Sequence, residues 1–317
     1  MIQVSNLSKK FDSFYAVNDI SFTVNPGEVL GFLGPNGAGK STTMKIITGF
    51  LSPSTGEVTV MGHNVRKDPI AAQSEIGYLP EGAPSYDDMT VLGSLQFIGK
   101  ARGFFGKELK QRIESVVAKV ELESVLKKRV ETLSKGFRRR LGIAQALIHD
   151  PKVLVLDEPT DGLDPNQKHQ VRELIRNLSE DKTVIVSTHI LEEVSAVCSR
   201  AMILAKGKIV FDGTPAELAA KSDFHNAVTI RLGKHSEVVI AALKKLPNVK
   251  HVSVSSDDLI TVFANDGQPI LAEVNKVLQR GNCLLDELHV EVGRLDDVFR
   301  KVTLNATLEE TSSEEQA

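Results

Sequence analysis

The sequence predicts an α/β fold with a central parallel sheet, followed by a small α+β domain. Three largely apolar runs, Val29–Leu33, Val153–Leu156 and Thr183–Thr188, lack the polar alternation of half-exposed strands, which is typical of parallel strands buried on both faces. After residue 225 the pattern follows a β-α-β-β-α-β order, which indicates a split βαβ sandwich. The length of 317 residues fits one main domain and a smaller one.

The composition is that of a globular protein, with 41% apolar and 25% charged residues. A net charge of −3 gives no overall electrostatic footprint for nucleic acid. The two cysteines, Cys198 and Cys283, are far apart and form no C-x-x-C motif, so neither a disulfide framework nor a zinc knuckle is indicated. No stretch approaches the roughly 18 apolar residues of a membrane span. We expect a chain that neither crosses a membrane nor is secreted.

A glycine-rich segment follows the first buried strand and precedes a helical pattern. It reads G-P-N-G-A-G-K-S-T and satisfies G-x-x-x-x-G-K-[ST]. Glycines let backbone N–H groups close around an anion, and a helix N-terminus adds positive charge. Lys40 is predicted to reach the β- and γ-phosphates, Ser41 to enter the Mg²⁺ shell and Thr42 to lie nearer the α- and β-phosphates. The predicted nucleotide-binding residues are Gly34, Pro35, Asn36, Gly37, Ala38, Gly39, Lys40, Ser41 and Thr42.

An acidic pair ends the second buried strand. Asp157 and Glu158 follow Val153–Leu156 directly and therefore emerge at the carboxyl edge of the sheet, where ligands bind in open α/β folds. We predict that Asp157 holds Mg²⁺, directly or through water, and that Glu158 polarises the attacking water. An ordinary solvated turn is the alternative, which the fully apolar strand disfavours.

His189 follows the third buried strand at the same edge. An imidazole there can donate a hydrogen bond to the γ-phosphate or to the water as charge develops. A packing or capping histidine is the alternative, but the phosphate loop and the acidic pair favour a catalytic role for His189.

Four ordered segments together resemble the ATP-binding-cassette (ABC) family. They are the phosphate loop, L-S-K-G-F at Leu133–Phe137, L-D-E-P-T-D-G-L-D-P at Leu156–Pro165, and S-T-H ending at His189. The resemblance runs from about Ile2 to Leu218. It implies an ABC-type P-loop NTPase core with an antiparallel β subdomain and a helical subdomain, with ATP and Mg²⁺ as cofactors.

The resemblance also implies a head-to-tail dimer of two copies of this chain. In the family each ATP lies between one chain's phosphate loop and the other chain's signature segment, so Ser134 and the amide of Gly136 would contact the partner copy's γ-phosphate. Asp164 matches the loop that crosses the dimer interface. The signature departs from the common L-S-G-G-Q by Lys135 and Phe137, and such variants look like those of an exporter branch.

Two further positions match the family with departures or alternatives. Phe11 matches the aromatic that stacks on adenine, with Tyr15 as a weaker candidate, and either residue could instead be part of the core. Glu81 stands where the family has its lid glutamine, and its charge changes how it would meet a metal-bound water. The basic run 138–140 indicates a solvated or dimer-facing helix rather than a nucleic-acid patch.

We predict three parts: an ABC ATPase domain at 1–220 with its helical subdomain at about 84–150, an accessory domain at 225–303, and a disordered acidic tail at 304–317. The accessory part is expected to be a small ferredoxin-like α+β domain. It resembles the domain carried by drug, sodium, polysaccharide and gliding-motility exporters. We expect this domain to support the dimer or to regulate the ATPase.

The function implied is that of a cytoplasmic ATPase subunit, peripheral on the inner face of the membrane through a separate integral permease that it powers for export. The segment 81–97 is where family members usually receive a helix of the membrane partner, although its apolar residues Met89, Val91 and Leu92 could equally be internal packing. No nucleic-acid partner is expected. The alternatives are a soluble ABC ATPase acting on ribosomes or nucleic acid, and an importer subunit. The transported substance is chosen by the permease.

Overall fold

The computed structural model describes residues 1–232, 237–255, 259–281 and 285–301. The chain forms two compact units, Met1–Asp212 and a second unit from Gly213 onward. The helix Pro215–Ala220 belongs to the second unit, whereas the sequence predicts a first domain that runs to residue 220. The predicted tail at 304–317 lies outside the described residues, as do residues 256–258, whose sequence Ser-Asp-Asp predicts a hairpin turn between two strands.

The first unit alternates strands and helices around two sheets. Its strands are β1 (Ile2–Phe11), β2 (Phe14–Val24), β3 (Val29–Leu33), β4 (Thr55–Val60), β5 (His63–Asn64), β6 (Ile76–Leu79), β7 (Val153–Asp157), β8 (Thr183–Thr188), β9 (Arg200–Ala205) and β10 (Lys208–Gly213). Its helices are α1 (Lys40–Ile47), α2 (Pro69–Ser74), α3 (Val91–Ala101), α4 (Gly106–Val120), α5 (Lys135–Leu147), α6 (Pro165–Ser179) and α7 (Leu191–Val197).

A six-stranded sheet in the order β10-β9-β3-β8-β7-β6 forms the centre of this unit. Within this order the pairs β9–β3, β3–β8, β8–β7 and β7–β6 are parallel. Every residue of β3, β7 and β8 is buried, as predicted from their apolar runs. The register pairs Leu33 with Thr188 and Asp157 with Ser187. The carboxyl ends of three strands therefore lie in line at one edge of the sheet.

Each face of the central sheet packs against a different layer. Leu30 and Phe32 belong to one core with the antiparallel sheet β2-β1-β4-β5, whereas Val29 belongs to another core with the helices α3, α4 and α5. This division follows from strand geometry, because successive side chains point to opposite faces. The antiparallel and helical subdomains implied by the resemblance are both present.

Side chains cap the helices that carry predicted site residues. The Ser134 hydroxyl at the start of α5 accepts from the Phe137 N–H, and Asp164 at the start of α6 accepts from the Gln167 N–H. Such caps satisfy backbone donors that have no partner within the helix, and each stabilises by about 1 kcal/mol.

The second unit is a small α+β sandwich. Its elements are α8 (Pro215–Ala220), β11 (Val228–Leu232), α9 (Glu237–Leu243), β12 (Val249–Val254), β13 (Leu259–Ala264), α10 (Leu271–Arg280) and β14 (Leu285–Val290). The antiparallel sheet has the order β12-β13-β11-β14. Ile230 and Ile260 of the sheet share a core with Val239 of α9 and Val274 of α10. Order and topology are those of the ferredoxin-like arrangement that the sequence predicts.

His149, just after α5, is held neutral by its surroundings. Its Nε2 contacts the Ile76 carbonyl at 3.0 Å, and its buried Nδ1 has no hydrogen-bond partner in the part of the chain that the structure describes. Burial, together with the nearby Arg102 and Arg112, lowers the pKa of His149 to about 4. In the unfolded chain the pKa of this histidine returns to the ordinary value of about 6.5. The contribution of His149 to the free energy of unfolding is therefore fully present above about pH 6.5. It is lost as the pH falls towards 4, because the unfolded state then binds more protons than the folded state.

We expect the melting temperature to fall between about pH 7 and about pH 5, and the slope to be smaller in His149→Gln, whose amide can still donate to the Ile76 carbonyl. Thermal unfolding followed by circular dichroism at a series of pH values measures both. His169→Gln, at an exposed site on α6, is the control and should keep the wild-type slope. An identical slope in His149→Gln would contradict the assignment.

Candidate functional site

A cleft of about 810 Å³ lies at the carboxyl edge of the central sheet. The loops after β3, β6, β7 and β8 meet there, and the β1–β2 hairpin closes one side. Its lining residues are Phe11, Phe14, Ala16, Asn36, Gly37, Gly39, Lys40, Ser41, Thr42, Glu81, Glu158, Asp161 and His189. The structure thus brings together ten of the residues that the sequence predicts. Convergence follows from topology, since adjacent parallel strands deliver their loops to one edge.

The loop from Gly34 to Gly39 takes a shape that requires glycine at its end. Gly39 has φ of 106° and precedes α1, in the left-handed region that side chains rarely adopt. A Cβ on Gly39 would lie 2.3 Å from the Ala16 carbonyl oxygen. Gly34 and Ala38 are buried behind the loop, and with Pro35 they shape it without lining the cleft.

Lys40 places a buried cation inside this loop. Its Nζ donates to the carbonyls of Gly34 at 2.6 Å and Pro35 at 3.2 Å. Burial lowers the pKa of Lys40, while Glu158, Asp157 and Glu81 oppose that shift. Carbonyls and carboxylates thus surround the ammonium group. The cleft therefore already contains the positive charge that would attract an anionic ligand.

We expect Gly39→Ala to weaken ATP binding by at least about tenfold, because a side chain at this φ is strained and its Cβ meets backbone that cannot move alone. Isothermal titration with ATP measures the change. Gly62→Ala is the matched control: Gly62 also has a positive φ, but a Cβ there meets nothing within 4 Å and the residue lies outside the cleft. Equal ATP affinity in the two variants would contradict the prediction that a side chain at Gly39 disturbs the phosphate loop.

The acidic pair is divided by strand geometry. Asp157, the last residue of β7, is 2% exposed, and its Oδ1 accepts from the Ser187 hydroxyl. Glu158 has φ of 48°, a rare value for a residue with a side chain. Its N–H is held by the Ser187 carbonyl at 3.2 Å and hydroxyl at 3.0 Å. Glu158 lines the cleft, and Asp157 lies behind it.

His189 contacts Glu158 inside the cleft. The distance from its Nδ1 to Glu158 Oε1 is 3.2 Å. Asp161 joins them, and one ligand atom from each of the three residues lies within 4.8 Å of the others. Sequence reasoning missed Asp161, although its position three residues after Glu158 in D-E-P-T-D was a usable signal.

Two aromatic side chains stand at the side of the cleft formed by the hairpin. Phe11 and Phe14 are paired in the β1–β2 register and are 46% and 59% exposed. This exposure argues against the alternative that Phe11 is part of the core. Tyr15, the weaker candidate, is not among the lining residues. Phe14 was missed, because only the register shows that it faces the same side as Phe11.

Three predicted site residues lie away from the cleft. Ser134 and Gly136 line a separate hollow of about 330 Å³ beside Gln167. Asp164 accepts from the Gln167 N–H at 3.0 Å and lines neither space. Within one copy, the signature segment therefore does not contribute to the cleft.

Known proteins resemble this chain over nearly its whole length. The model of the ABC transporter family matches residues 17–161. The linearmycin resistance ATP-binding protein LnrL of Bacillus subtilis (strain 168) is 32% identical over 305 residues, covering 96% of this chain and 98% of that protein. The Nod factor export ATP-binding protein I of Rhizobium sp. (strain N33) is 35% identical over 303 residues, covering 95% of this chain and 96% of that protein. The chain belongs to the ABC transporter family.

A solved ABC cassette shares the fold of the first unit. The dimeric, post-hydrolysis structure of the ATP-binding cassette MJ0796, bound to ADP and Pi, is 26% identical with a TM-score of 0.62 and covers 68% of this chain and 99% of that chain. The fold class predicted from the sequence is confirmed. The chain is an ATP-hydrolysing subunit of an exporter-type ABC transporter, as the sequence predicts.

The second unit is shared with full-length ABC relatives, because both matches extend over at least 95% of the chain. Among the helices of the described residues, none has the length and apolar character needed to cross a membrane.

Proposed function

We propose that this ABC subunit binds ATP and Mg²⁺ in the cleft, closes head to tail with a second copy, and uses hydrolysis to drive export through a separate membrane permease. The observation that carries the proposal is the meeting of Lys40, Glu158 and His189 in one cleft. A cation for phosphates, a carboxylate for water and an imidazole beside it are the groups that phosphoryl transfer to water needs.

Each side chain has a stated task. The Lys40 ammonium exchanges its loop carbonyls for phosphate oxygens. Glu158 accepts a hydrogen bond from the attacking water and orients it. His189 is held by its Nδ1 contact with Glu158, and its other ring nitrogen is left for a phosphate oxygen. Phe11, with Phe14 beside it, offers a face for the adenine ring.

Mg²⁺ fits the donors that the chain offers. Ser41 lines the cleft with its hydroxyl. Asp157 is a buried carboxylate whose Oδ1 accepts a hydrogen bond from Ser187, while its other oxygen has no hydrogen-bond partner among the described residues. Hard oxygen donors of this kind suit Mg²⁺, which usually retains several waters. Because Asp157 lies behind the cleft wall, we propose that it holds the ion through water. When bound, Mg²⁺ neutralises charge on the β- and γ-phosphates.

The second copy supplies what the cleft lacks. Ser134 and Gly136 stand at the first turn of α5, where free backbone N–H groups and the helix dipole attract anions. They line a different hollow from the cleft, so their contact with a γ-phosphate requires another chain. The dimeric MJ0796 cassette supports this arrangement, and Asp164 would then lie near the contact between the copies.

A permease partner is supported by the relatives and by the surface of the helical subdomain. One relative is named for Nod factor export and another for linearmycin resistance. In the segment 81–97, Tyr86 and Phe97 form an exposed edge-to-face pair with ring centroids 5.4 Å apart, whereas Val91 is fully buried and belongs to the core. We propose that the exposed pair receives a permease helix, placing the subunit on the inner face of the membrane.

Co-purification from native membranes in mild detergent, with mass spectrometry of bound proteins, tests the partner. An integral membrane protein should accompany the wild-type chain and be lost from Phe97→Asp. Ile70→Asp is the matched control, since Ile70 is also exposed but lies on α2. Ribosomal proteins, nucleic acid or an external binding protein in the eluate would favour the alternatives of a soluble ABC ATPase or an importer.

A further inference from the structure

A buried carboxylate lies behind the catalytic edge, on the short helix α7. Glu193 is 4% exposed, whereas its neighbour Glu192 is exposed. Burying a charged carboxylate is costly unless hydrogen bonds and opposite charge compensate for the lost water. The role of Glu193 should therefore follow from its partners.

Both carboxylate oxygens of Glu193 are engaged, and by different segments. Oε1 accepts from the Thr160 hydroxyl and lies 3.8 Å from Nη2 of Arg172 on α6. Oε2 accepts from the Thr188 hydroxyl at 2.8 Å. The carboxylate thus joins the loop after β7, the helix α6 and the end of β8.

The two threonines flank the proposed catalytic pair. Thr160 follows Glu158 in the turn after β7, and Thr188 directly precedes His189. The Thr188 hydroxyl also accepts from the Ile190 N–H at 3.0 Å, and the Glu193 N–H donates to the Ile190 carbonyl. His189 therefore stands on a backbone segment fixed on both sides, while Glu158 stands on one fixed through Thr160.

We propose that Glu193 is a positioning residue for ATP hydrolysis, which sets the position of Glu158 relative to His189 by binding Thr160 and Thr188 at once. The inference rests on the roles proposed above for Glu158 and His189. Those two side chains meet at 3.2 Å although they follow different strands, β7 and β8. A displacement of about 1 Å between catalytic groups is enough to slow a reaction by about a hundredfold.

Steady-state ATPase kinetics and ATP-binding titrations of the full chain test the role. Glu193→Gln keeps one acceptor oxygen but leaves one threonine without its carboxylate partner. We expect its kcat to fall by about tenfold or more, with ATP affinity within about twofold of wild type, because the phosphate loop is untouched. Glu192→Gln, on the exposed neighbour, is the matched control and should keep the wild-type kcat.

A pair of variants at Thr160 distinguishes a positioning role from a general loss of structure. The same pair tests the inference if Glu193→Gln does not fold. Thr160→Val removes the hydroxyl at nearly constant shape, and Thr160→Ser retains it. The serine variant should keep most of the wild-type kcat, and the valine variant should lose it as Glu193→Gln does. Equal rates in the two Thr160 variants, or a wild-type kcat in folded Glu193→Gln, would overturn the inference.

The failure of the proposed function has a different signature. If wild-type protein and Glu158→Gln hydrolyse ATP equally, the catalytic pair itself is misassigned, whatever the Glu193 variants do. If Glu158→Gln is inactive while Glu193→Gln is as fast as wild type, only the positioning role fails.

Discussion

Glu158→Gln is expected to lower the ATPase kcat by at least about a hundredfold while leaving ATP binding intact, since the loss of a general base typically costs this much or more. The amide keeps the shape of the side chain and can still accept from His189 Nδ1. It binds the attacking water much less strongly, so only the chemical step suffers. ATP should therefore hold the copies together, and a dimer should accumulate.

Size-exclusion chromatography with light scattering, with and without ATP and Mg²⁺, measures that dimer beside the phosphate-release rate. Glu180→Gln, exposed at the end of α6, is the control and should behave as wild type. Rapid turnover by Glu158→Gln would remove Glu158 from the role of orienting water. Loss of ATP binding would mean that the substitution disturbs the loop.

The location of the site was predictable because parallel strands impose it. β3, β7 and β8 are uninterrupted apolar runs, and such strands need cover on both faces and hence helical crossovers that make them parallel. Whatever follows each strand then lies at one edge. The phosphate loop, Glu158 and His189 converge for this reason, without any knowledge of their contacts.

The side chains around that edge depend on local geometry that the sequence does not reveal. Asp157 and Glu158 are adjacent acids, yet one bonds to Ser187 behind the cleft and the other turns into it through a left-handed backbone. Asp161 enters the cleft through the same turn. Phe14 faces it because of the hairpin register with Phe11.

The burial of Glu193 in the interior likewise could not be predicted from the sequence. A glutamate beside Glu192 on a short helix reads as solvated, since charged residues are rarely fully buried without partners. Its burial depends on Thr160 and Thr188, residues that are distant from each other in the sequence and adjacent only once β7 and β8 have paired. Hydrogen bonds between side chains of different structural elements carry no periodic signal in the sequence.

Mixing two inactive variants is expected to restore activity if the proposed dimer is correct. Lys40→Ala removes the ammonium of the phosphate loop. Ser134→Asp retains an N-cap acceptor for α5 but places a negative charge against the γ-phosphate. Each variant alone has both of its shared sites damaged, so the ATPase rate should be near background in either homodimer.

In an equal mixture, half of the dimers pair one copy of each variant. A mixed dimer has one site with both defects and one site with neither, because each site takes its loop from one copy and its signature from the other. About a quarter of all sites in the mixture are therefore intact, so up to about a quarter of the wild-type ATPase rate should be recovered. If each copy instead formed its site alone, every site in the mixture would carry a defect and no activity would return. Recovery on mixing therefore depends on Ser134 acting in the cleft of the other copy, which is the part of the site that one chain cannot display.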